Sequence, residues 1–392
     1  MPLVSVVVLN WNGAHLLPAC LDSVRTQTLH DFEIILADNG STDGSLELVA
    51  ERYPEVGIVP LGANLGFSRA VNAGIHSSRG EFVALLNNDT ELDARCLEGL
   101  VCAMRGDGRV GMCATKMVYH DDPSIINSAG HECGSDGVVI DIGRGEPDGP
   151  RFSEPREVLG ACAGAALYRR AMLDEIGLFD PDFFISFEDA DLNWRAQWAG
   201  WRCRYVPSAV VKHREGVSRE IRSRRAVYLG LRNTVHVWVK DWPVASLVRH
   251  LPGIWSGLWR SMASLAFRGR GRTVMTAMWG ATSQMPRMLN RRRTIRRTRA
   301  VGIARFEELV GKKARAVQLH PFDSGLRLGL VRLGQAACAG ALSLAMLALV
   351  VCATALVDAA ERVGEAMGRN RERPSRRKTE EATSRQDSRS GG

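Results

Sequence analysis

Five consecutive apolar residues, Phe82-Val83-Ala84-Leu85-Leu86, run directly into Asn87-Asn88-Asp89-Thr90. A strand without polar alternation has to be covered on both faces, which restricts it to the interior of a sheet flanked by helices. The surrounding residues supply that setting. Val4 to Leu9 is a β-branched run, followed by a helical stripe of Leu17, Cys20, Leu21 and Val24. Next come a strand from Glu33 to Ala37 and a helix opened by Ser41-Thr42-Asp43. A short strand at Gly57 to Val59 and a helix from Gly66 to Ser77 lead into the apolar run. This order predicts right-handed crossovers and an α/β, doubly wound, mostly parallel sheet. Such sheets bind ligands beyond the C-terminal ends of their strands, so the residues after each strand are the candidate site.

Those residues are polar and acidic. Asn10 and Asn12 follow the first strand with side chains suited to a nucleobase or ribose, and Gly13 lets the chain turn. Asp38 follows the second, where a carboxylate can accept from a base N–H. The string Asn39-Gly40-Ser41-Thr42-Asp43-Gly44 then opens a helix whose free N–H groups suit anions. Asn64-Leu65-Gly66-Phe67-Ser68-Arg69 is a third loop-to-helix start, with Arg69 available for a phosphate. Asn88 and Asp89 end the apolar strand, where a carboxylate on a rigid element suits a hard divalent cation carrying a diphosphate. Asn-Asn-Asp is also ordinary turn chemistry. The further acidic cluster Phe187-Glu188-Asp189-Ala190-Asp191 adds weight to the chemical reading. No GxGxxG or Walker A string occurs, which sets aside dinucleotide and P-loop readings.

Together these strings resemble the inverting family 2 of nucleotide-sugar glycosyltransferases. The resemblance is carried by Asn10-Trp11-Asn12, the run from Asp38 to Ser45, Asn64-Leu65-Gly66-Phe67, Asn72-Ala73-Gly74 and Asn87-Asn88-Asp89. It continues through Gly177-Leu178-Phe179-Asp180 and the run from Glu188 to Arg195, and covers roughly Pro2 to Asn233. Asn87-Asn88-Asp89 and Tyr228-Leu229-Gly230-Leu231-Arg232-Asn233 look most like the rhamnosyltransferase-type branch. The resemblance implies the GT-A fold, a nucleoside-diphosphate sugar donor and a Mg²⁺ or Mn²⁺ cofactor. It places Asp89 at the family's DxD motif as the direct carboxylate ligand of its loop, because asparagines occupy the first two positions. Asn88 would hold the ribose or orient water on the metal. His213 would supply a second metal or diphosphate contact. Asp189 matches the general base, Glu188 would share that role or hold the acceptor, and Asp191 reads as a charge on a helix N-terminus.

The net charge of +8 is uneven. Residues 287–332 hold thirteen Lys/Arg against three Asp/Glu, which leaves the rest of the chain slightly acidic. The basic segment lies between Leu251-Ile254-Trp255-Leu258-Trp259-Met262-Leu265, which fall on one helical stripe, and an uncharged run from Leu333 to Val357. That setting favours an anionic membrane surface over nucleic acid as its partner. The apolar run reads as a transmembrane or re-entrant helix. The nine cysteines form no CxxC pair, which fits free thiols in a reducing compartment. The N-terminus enters a strand without a basic leader, which places the site at the cytoplasmic face of the cell membrane. The expected organisation is a catalytic domain over 1–235 and interfacial helices over 236–332. The apolar helix then covers 333–357 and a charged tail 358–392. The leading reading is transfer of a sugar to a lipid-linked or growing surface-glycan acceptor. A processive polysaccharide synthase is an alternative, although Gln197-Trp198-Ala199-Gly200-Trp201 does not form the Gln-x-x-Arg-Trp motif. A non-catalytic nucleotide-sugar-binding scaffold is the other.

Overall fold

The computed structural model describes residues 1–214, 223–311 and 338–362. Its strands are β1 (Val4–Asn10), β2 (Phe32–Asp38), β3 (Gly57–Pro60), β4 (Phe82–Asn87), β5 (Thr90–Leu92) and β6 (Val110–Tyr119). They continue with β7 (Ile126–Ser128), β8 (His131–Cys133), β9 (Val139–Asp141), β10 (Arg156–Val158), β11 (Ala165–Arg169) and β12 (Arg202–His213). The main sheet has the order β10-β12-β6-β11-β4-β1-β2-β3. Strands β3, β2, β1 and β4 are parallel, β11 runs antiparallel between β4 and β6, and β12 is parallel to β6. The chain leaves β1 toward β2 on one side and later returns beside β1 as β4. The ends of those two strands therefore flank a crevice.

Period-two alternation sorts the strand side chains into two cores. Val4, Val6 and Val8 pack with α1 (Leu17–Arg25), α2 (Ser45–Arg52) and the later helix over Cys96–Gly106. Val7, Ile35 and Leu85 pack on the other face with α3 (Phe67–Ser77). The helix over Cys96–Gly106 is α4, and α5 spans Arg170–Ile176. Helix α6 (Glu188–Trp198) is buried all round. Leu192 and Ala196 face the sheet, whereas Ala190, Trp194 and Trp198 face a third core of helices.

That third core begins with α7 (Arg224–Asp241), which runs unbroken across residues 235 and 236. Its far half inserts Trp238 beside Trp194, Trp198 and Trp242 in one cluster. Residues on both sides of the boundary expected from composition thus share a core. Then follow α8 (Val244–Arg249), α9 (Leu251–Leu265), α10 (Gly271–Ser283), α11 (Met285–Arg297), α12 (Ile303–Leu309) and α13 (Cys338–Arg362). The stripe on α9 divides: Ile254, Leu258, Met262 and Leu265 are buried, while Trp255 and Trp259 are exposed with stacked rings. Helix α13 is 25 residues long with a mean hydropathy of 2.4 in its most apolar stretch, enough to cross a bilayer. Residues 333–337 of the apolar run, 312–332 of the basic segment and the tail beyond 362 lie outside the described residues.

Two charged features take positions that the sequence alone did not indicate. Asp191 stands in the first turn of α6, but its charge is committed inside the protein. It is fully buried, paired with Arg195 at 2.9 Å and with the buried Lys240, which also reaches Asp180 at 2.5 Å. In the described part of the basic segment, arginines are tied internally: Arg287 to Asp182, Arg291 to Asp180 and Asp182, and Arg292 and Arg296 to Asp358.

Candidate active site

The loops after β1 and β2 are cross-linked by their own polar side chains. Asn10 is buried; its Nδ2 donates to Asp38 Oδ1 and Ser41 Oγ, and its Oδ1 accepts from Asn88 Nδ2 at 2.7 Å. Asp38 also accepts from Ser41 Oγ and from the amides of Gly40 and Ser41. A ligand contact with Asp38 would have to displace one of these. Asn12 holds a left-handed conformation and accepts from the Thr42 amide. Asn39 binds Asn64 and the Leu65 amide, and so sets the next loop. Gly66 has φ +89°, and a Cβ there would stand 2.6 Å from the Phe184 ring, which explains the glycine.

A cavity of about 380 Å³ opens above these loops. Asn39, Asn64, Asn88, Asp89 and His213 form a polar wall, and Leu229, Leu231 and Leu265 from α7 and α9 form an apolar one. Pairing of β5 with β12 sets His213 opposite Thr90 and fixes the metal-candidate pair. His213 Nε2 lies 3.3 Å from Asp89 Oδ1, and Nδ1 lies 3.0 Å from Asn127 Oδ1. An amide oxygen at Nδ1 places the ring hydrogen there, so Nε2 turns its lone pair toward Asp89. Asp89 Oδ1 is buried and has no hydrogen-bond donor among the described residues. A carboxylate oxygen and an imidazole nitrogen converging in this way fit a divalent cation.

Between the polar and apolar walls lies the segment 184–187. Phe184, Ser186 and Phe187 all have positive φ, an unusual strain for three non-glycine residues in four positions. Asn233 of α7 stabilises the segment, its Nδ2 reaching the carbonyls of Phe183, Ile185 and Ser186 at 2.9, 3.0 and 2.7 Å. Arg232 adds bonds to the carbonyls of Asp182 and Phe183. The strained turn delivers Glu188 and Asp189 to the start of α6.

These two carboxyls differ. Burial, and then the charge of neighbouring Asp189, push Glu188 up to about 8. Its Oε2 is buried with no hydrogen-bond partner among the described residues. Asp189 is partly accessible, accepting from the amides of Ala190 at 2.8 Å and Ala163 at 3.3 Å. His131 stands beside it, buried, with its Nε2 facing both Asp141 and Asp189. Burial disfavours the His131 imidazolium, while the charges of Asp189 and then Asp141 favour a proton on the ring. Burial alone would raise Asp141, whereas the hydrogen bond from His131, with Arg144, brings it down.

Of the residues singled out from sequence, Asn64, Gly66, Asn88, Asp89 and His213 line the cavity. Asn10 and Asp38 are buried supports behind its wall, and Asn12 is exposed on the loop after β1. Arg69 points from the exposed face of α3 and is not among the lining residues. Glu188 and Asp189 adjoin the cavity through Phe187. Sequence reasoning missed the strained segment, its anchor Asn233, the Arg225 guanidinium stacked on Phe184 at 4.1 Å, and the His131–Asp141 pair. The Arg232-Asn233 dipeptide was visible as a string, but not as a clamp.

Comparison with known proteins adds four findings. Residues 5–177 match the family model for glycosyl transferase family 2. An N-acetylglucosaminyl-diphospho-decaprenol L-rhamnosyltransferase of Mycobacterium tuberculosis is 29% identical over 288 residues, 67% of this chain and 89% of that protein. A PGL/p-HBAD biosynthesis glycosyltransferase of Mycobacterium bovis is 29% identical over 255 residues, 62% of this chain and 91% of that one. Among solved structures, GalNAc-T7 with UDP, GalNAc and Mn²⁺ superposes with a TM-score of 0.54 at 19% identity. That match covers 67% of this chain and 51% of the other, so the chain spans about half the length of that structure, and the likeness is one of fold.

Proposed function

We propose that this chain, whose residues 5–177 match glycosyl transferase family 2, transfers a sugar from a nucleoside-diphosphate donor to a lipid-linked acceptor. The observation that carries this reading is the convergence of Asp89 and His213 in a cavity with one polar and one apolar wall. The polar wall suits a nucleotide and its diphosphate. The apolar wall is made by α7 and α9, and α9 carries the exposed Trp255 and Trp259 on its outer face, where a lipid-borne acceptor would approach. The relative that acts on a decaprenol-linked acceptor makes L-rhamnose the first donor sugar to test. The nine unpaired cysteines and the apolar α13 support a site on the cytoplasmic face of a membrane.

In the proposed reaction Asn39, Asn64 and Asn88 hold the nucleotide end of the donor. Asp89 and His213 hold a divalent cation, Mg²⁺ or Mn²⁺. When bound there, such an ion supplies positive charge to the departing diphosphate. Asp189 takes the proton from the acceptor hydroxyl as that oxygen attacks the sugar carbon from the face opposite the leaving group. Glu188, with its carboxyl held up to about 8, is mostly protonated near neutral pH and is the poorer base of the two.

The test combines binding with turnover. Titrating the full-length protein with Mn²⁺ should show one site that Asp89→Asn weakens strongly. Chelation should abolish rhamnosyl transfer to N-acetylglucosaminyl-diphospho-polyprenol, and added Mg²⁺ or Mn²⁺ should restore it. Asp189→Asn should bind donor normally and lose about 10²–10⁴ in kcat. Full transfer in excess chelator by metal-free protein would remove the role given to Asp89 and His213.

A further inference from the structure

The reaction outlined above makes no use of the buried histidine beside Asp189. His131 opens β8 directly opposite Asp141 of β9, so the two form a cross-strand pair. Its Nε2 lies 3.3 Å from Asp141 Oδ1 and 3.8 Å from Asp189 Oδ2. Its Nδ1 lies 3.0 Å from Asn193 Nδ2.

The orientation of the Asn193 amide is settled by the backbone. Oδ1 accepts from the Ala161 amide at 3.3 Å, and Nδ2 donates to the Ala161 carbonyl at 3.1 Å. Turning the amide over would set donor against donor and acceptor against acceptor. Gly160 confirms how closely the chain wraps this amide, since a Cβ there would fall 1.9 Å from Asn193 Cγ. Asn193 therefore presents an N–H to Nδ1, which makes Nδ1 the acceptor and puts the ring hydrogen on Nε2. A hydrogen rather than a lone pair then faces the carboxylates and the nearby Cys162 thiol. His131, Cys162 and Asp189 approach within 4.8 Å of one another, but with this tautomer they form a hydrogen-bonding cluster and not a metal centre.

We propose that His131 is the positioning residue of Asp189: its Nε2–H, set by Asn193, faces Asp141 and Asp189 together and holds the Asp189 carboxylate toward the acceptor. The proposal rests on the reading of Asp189 as the base. At 3.8 Å the contact is electrostatic rather than a hydrogen bond. The amides of Ala163 and Ala190 fix the two oxygens, and the imidazole supplies the side-chain dipole beside them. Displacing a reacting group by about 1 Å can cost on the order of 10² in rate. The positioning therefore bears on kcat and not on donor affinity.

The experiment uses the full-length enzyme with the rhamnosyl donor and polyprenyl-linked acceptor named above. His131→Phe keeps a planar ring without the N–H, and should lower kcat about 10²-fold with the donor KM unchanged. His131→Gln restores an N–H and should recover most of the loss. Asn193→Asp accepts from Nδ1, moves the ring hydrogen there, and should lower kcat like His131→Phe. Nitrogen NMR of ¹⁵N-histidine-labelled wild-type protein reads the tautomer without any substitution and should show Nε2 protonated. An Nε2 without its hydrogen overturns the proposal. A kcat for His131→Phe within about twofold of wild type also overturns it while Asp189→Asn is inactive, which leaves the base assignment standing. If Asp189→Asn itself turns over normally, the base assignment fails and the positioning role fails with it.

Discussion

Glu188 and Asp189 are adjacent at the start of one helix, yet their surroundings give them opposite uses. Glu188 is enclosed and lacks a hydrogen-bond partner at Oε2 among the described residues, whereas Asp189 accepts from two backbone amides. The consequence for stability has a definite sign. Glu188 titrates near 4.5 when unfolded and near about 8 when folded. Between those values the folded protein keeps a proton that the unfolded chain has released, so stability falls as pH rises through that window. Glu188→Gln removes the dependence, and its melting temperature should gain on wild type steadily from about pH 4.5 to about pH 8. A constant offset between the two melting curves would show that Glu188 is ionised in the folded protein. At this scale the sequence was partly legible. Acidic and amide residues at strand ends announced themselves by position, as Asn88 and Asp89 did. Which carboxyl is free and which is neutral depends on neighbours such as His131, 57 or more residues away along the chain, and no local pattern reports that.

The elements that matter most are α6 and α7, joined by a charged cluster inside an apolar layer. Lys240 is fully buried between Asp180 and Asp191, and burial disfavours its charge, but the two carboxylates outweigh that and raise its pKa. Lys240→Met would leave those carboxylates buried without their shared cation. It should destabilise the protein by about 3–5 kcal/mol in a denaturant titration, and a loss below about 1 kcal/mol would mean that water reaches the cluster. The sheet was legible because β1, β2 and β4 carry uninterrupted apolar runs ending in polar turns. The same logic misjudged α9, where a single helical stripe serves two surroundings: Ile254, Leu258, Met262 and Leu265 face protein, while Trp255 and Trp259 remain outside. The segment 184–187 was illegible for a different reason. Phenylalanine and serine give no sign of a left-handed backbone, and the amide that stabilises it belongs to Asn233, 46 or more residues later.

For the molecule as a whole, the exposed apolar side chains gather on the helical layer: Trp255 and Trp259 on α9, Met275 and Trp279 on α10, and Leu344, Leu349 and Leu356 on α13. Trp279 is 74% exposed, a large aromatic surface to leave in water. We expect the full-length protein to stay with membranes through a high-salt wash and to leave only in detergent. A chain ending at Val331 lacks Asp358 and Glu361, the carboxylate partners of Arg292, Arg293 and Arg296. It should bind vesicles of anionic lipid at low salt and leave them at high salt. Recovery of the full-length protein entirely in the soluble fraction would dismiss the membrane role of this face. The clamp by Asn233 has a further bearing, on biosynthesis. Nascent chains fold from the N-terminus as they emerge, and β1 to β4 can pair long before α7 leaves the ribosome. The turn that presents Asp189 has no support until α7 docks, and α7 docks through Trp238 and Lys240 into the helical layer. A growing chain thus passes through a stage with its sheet built and its chemistry still dormant, and gains activity only as the helical layer comes together.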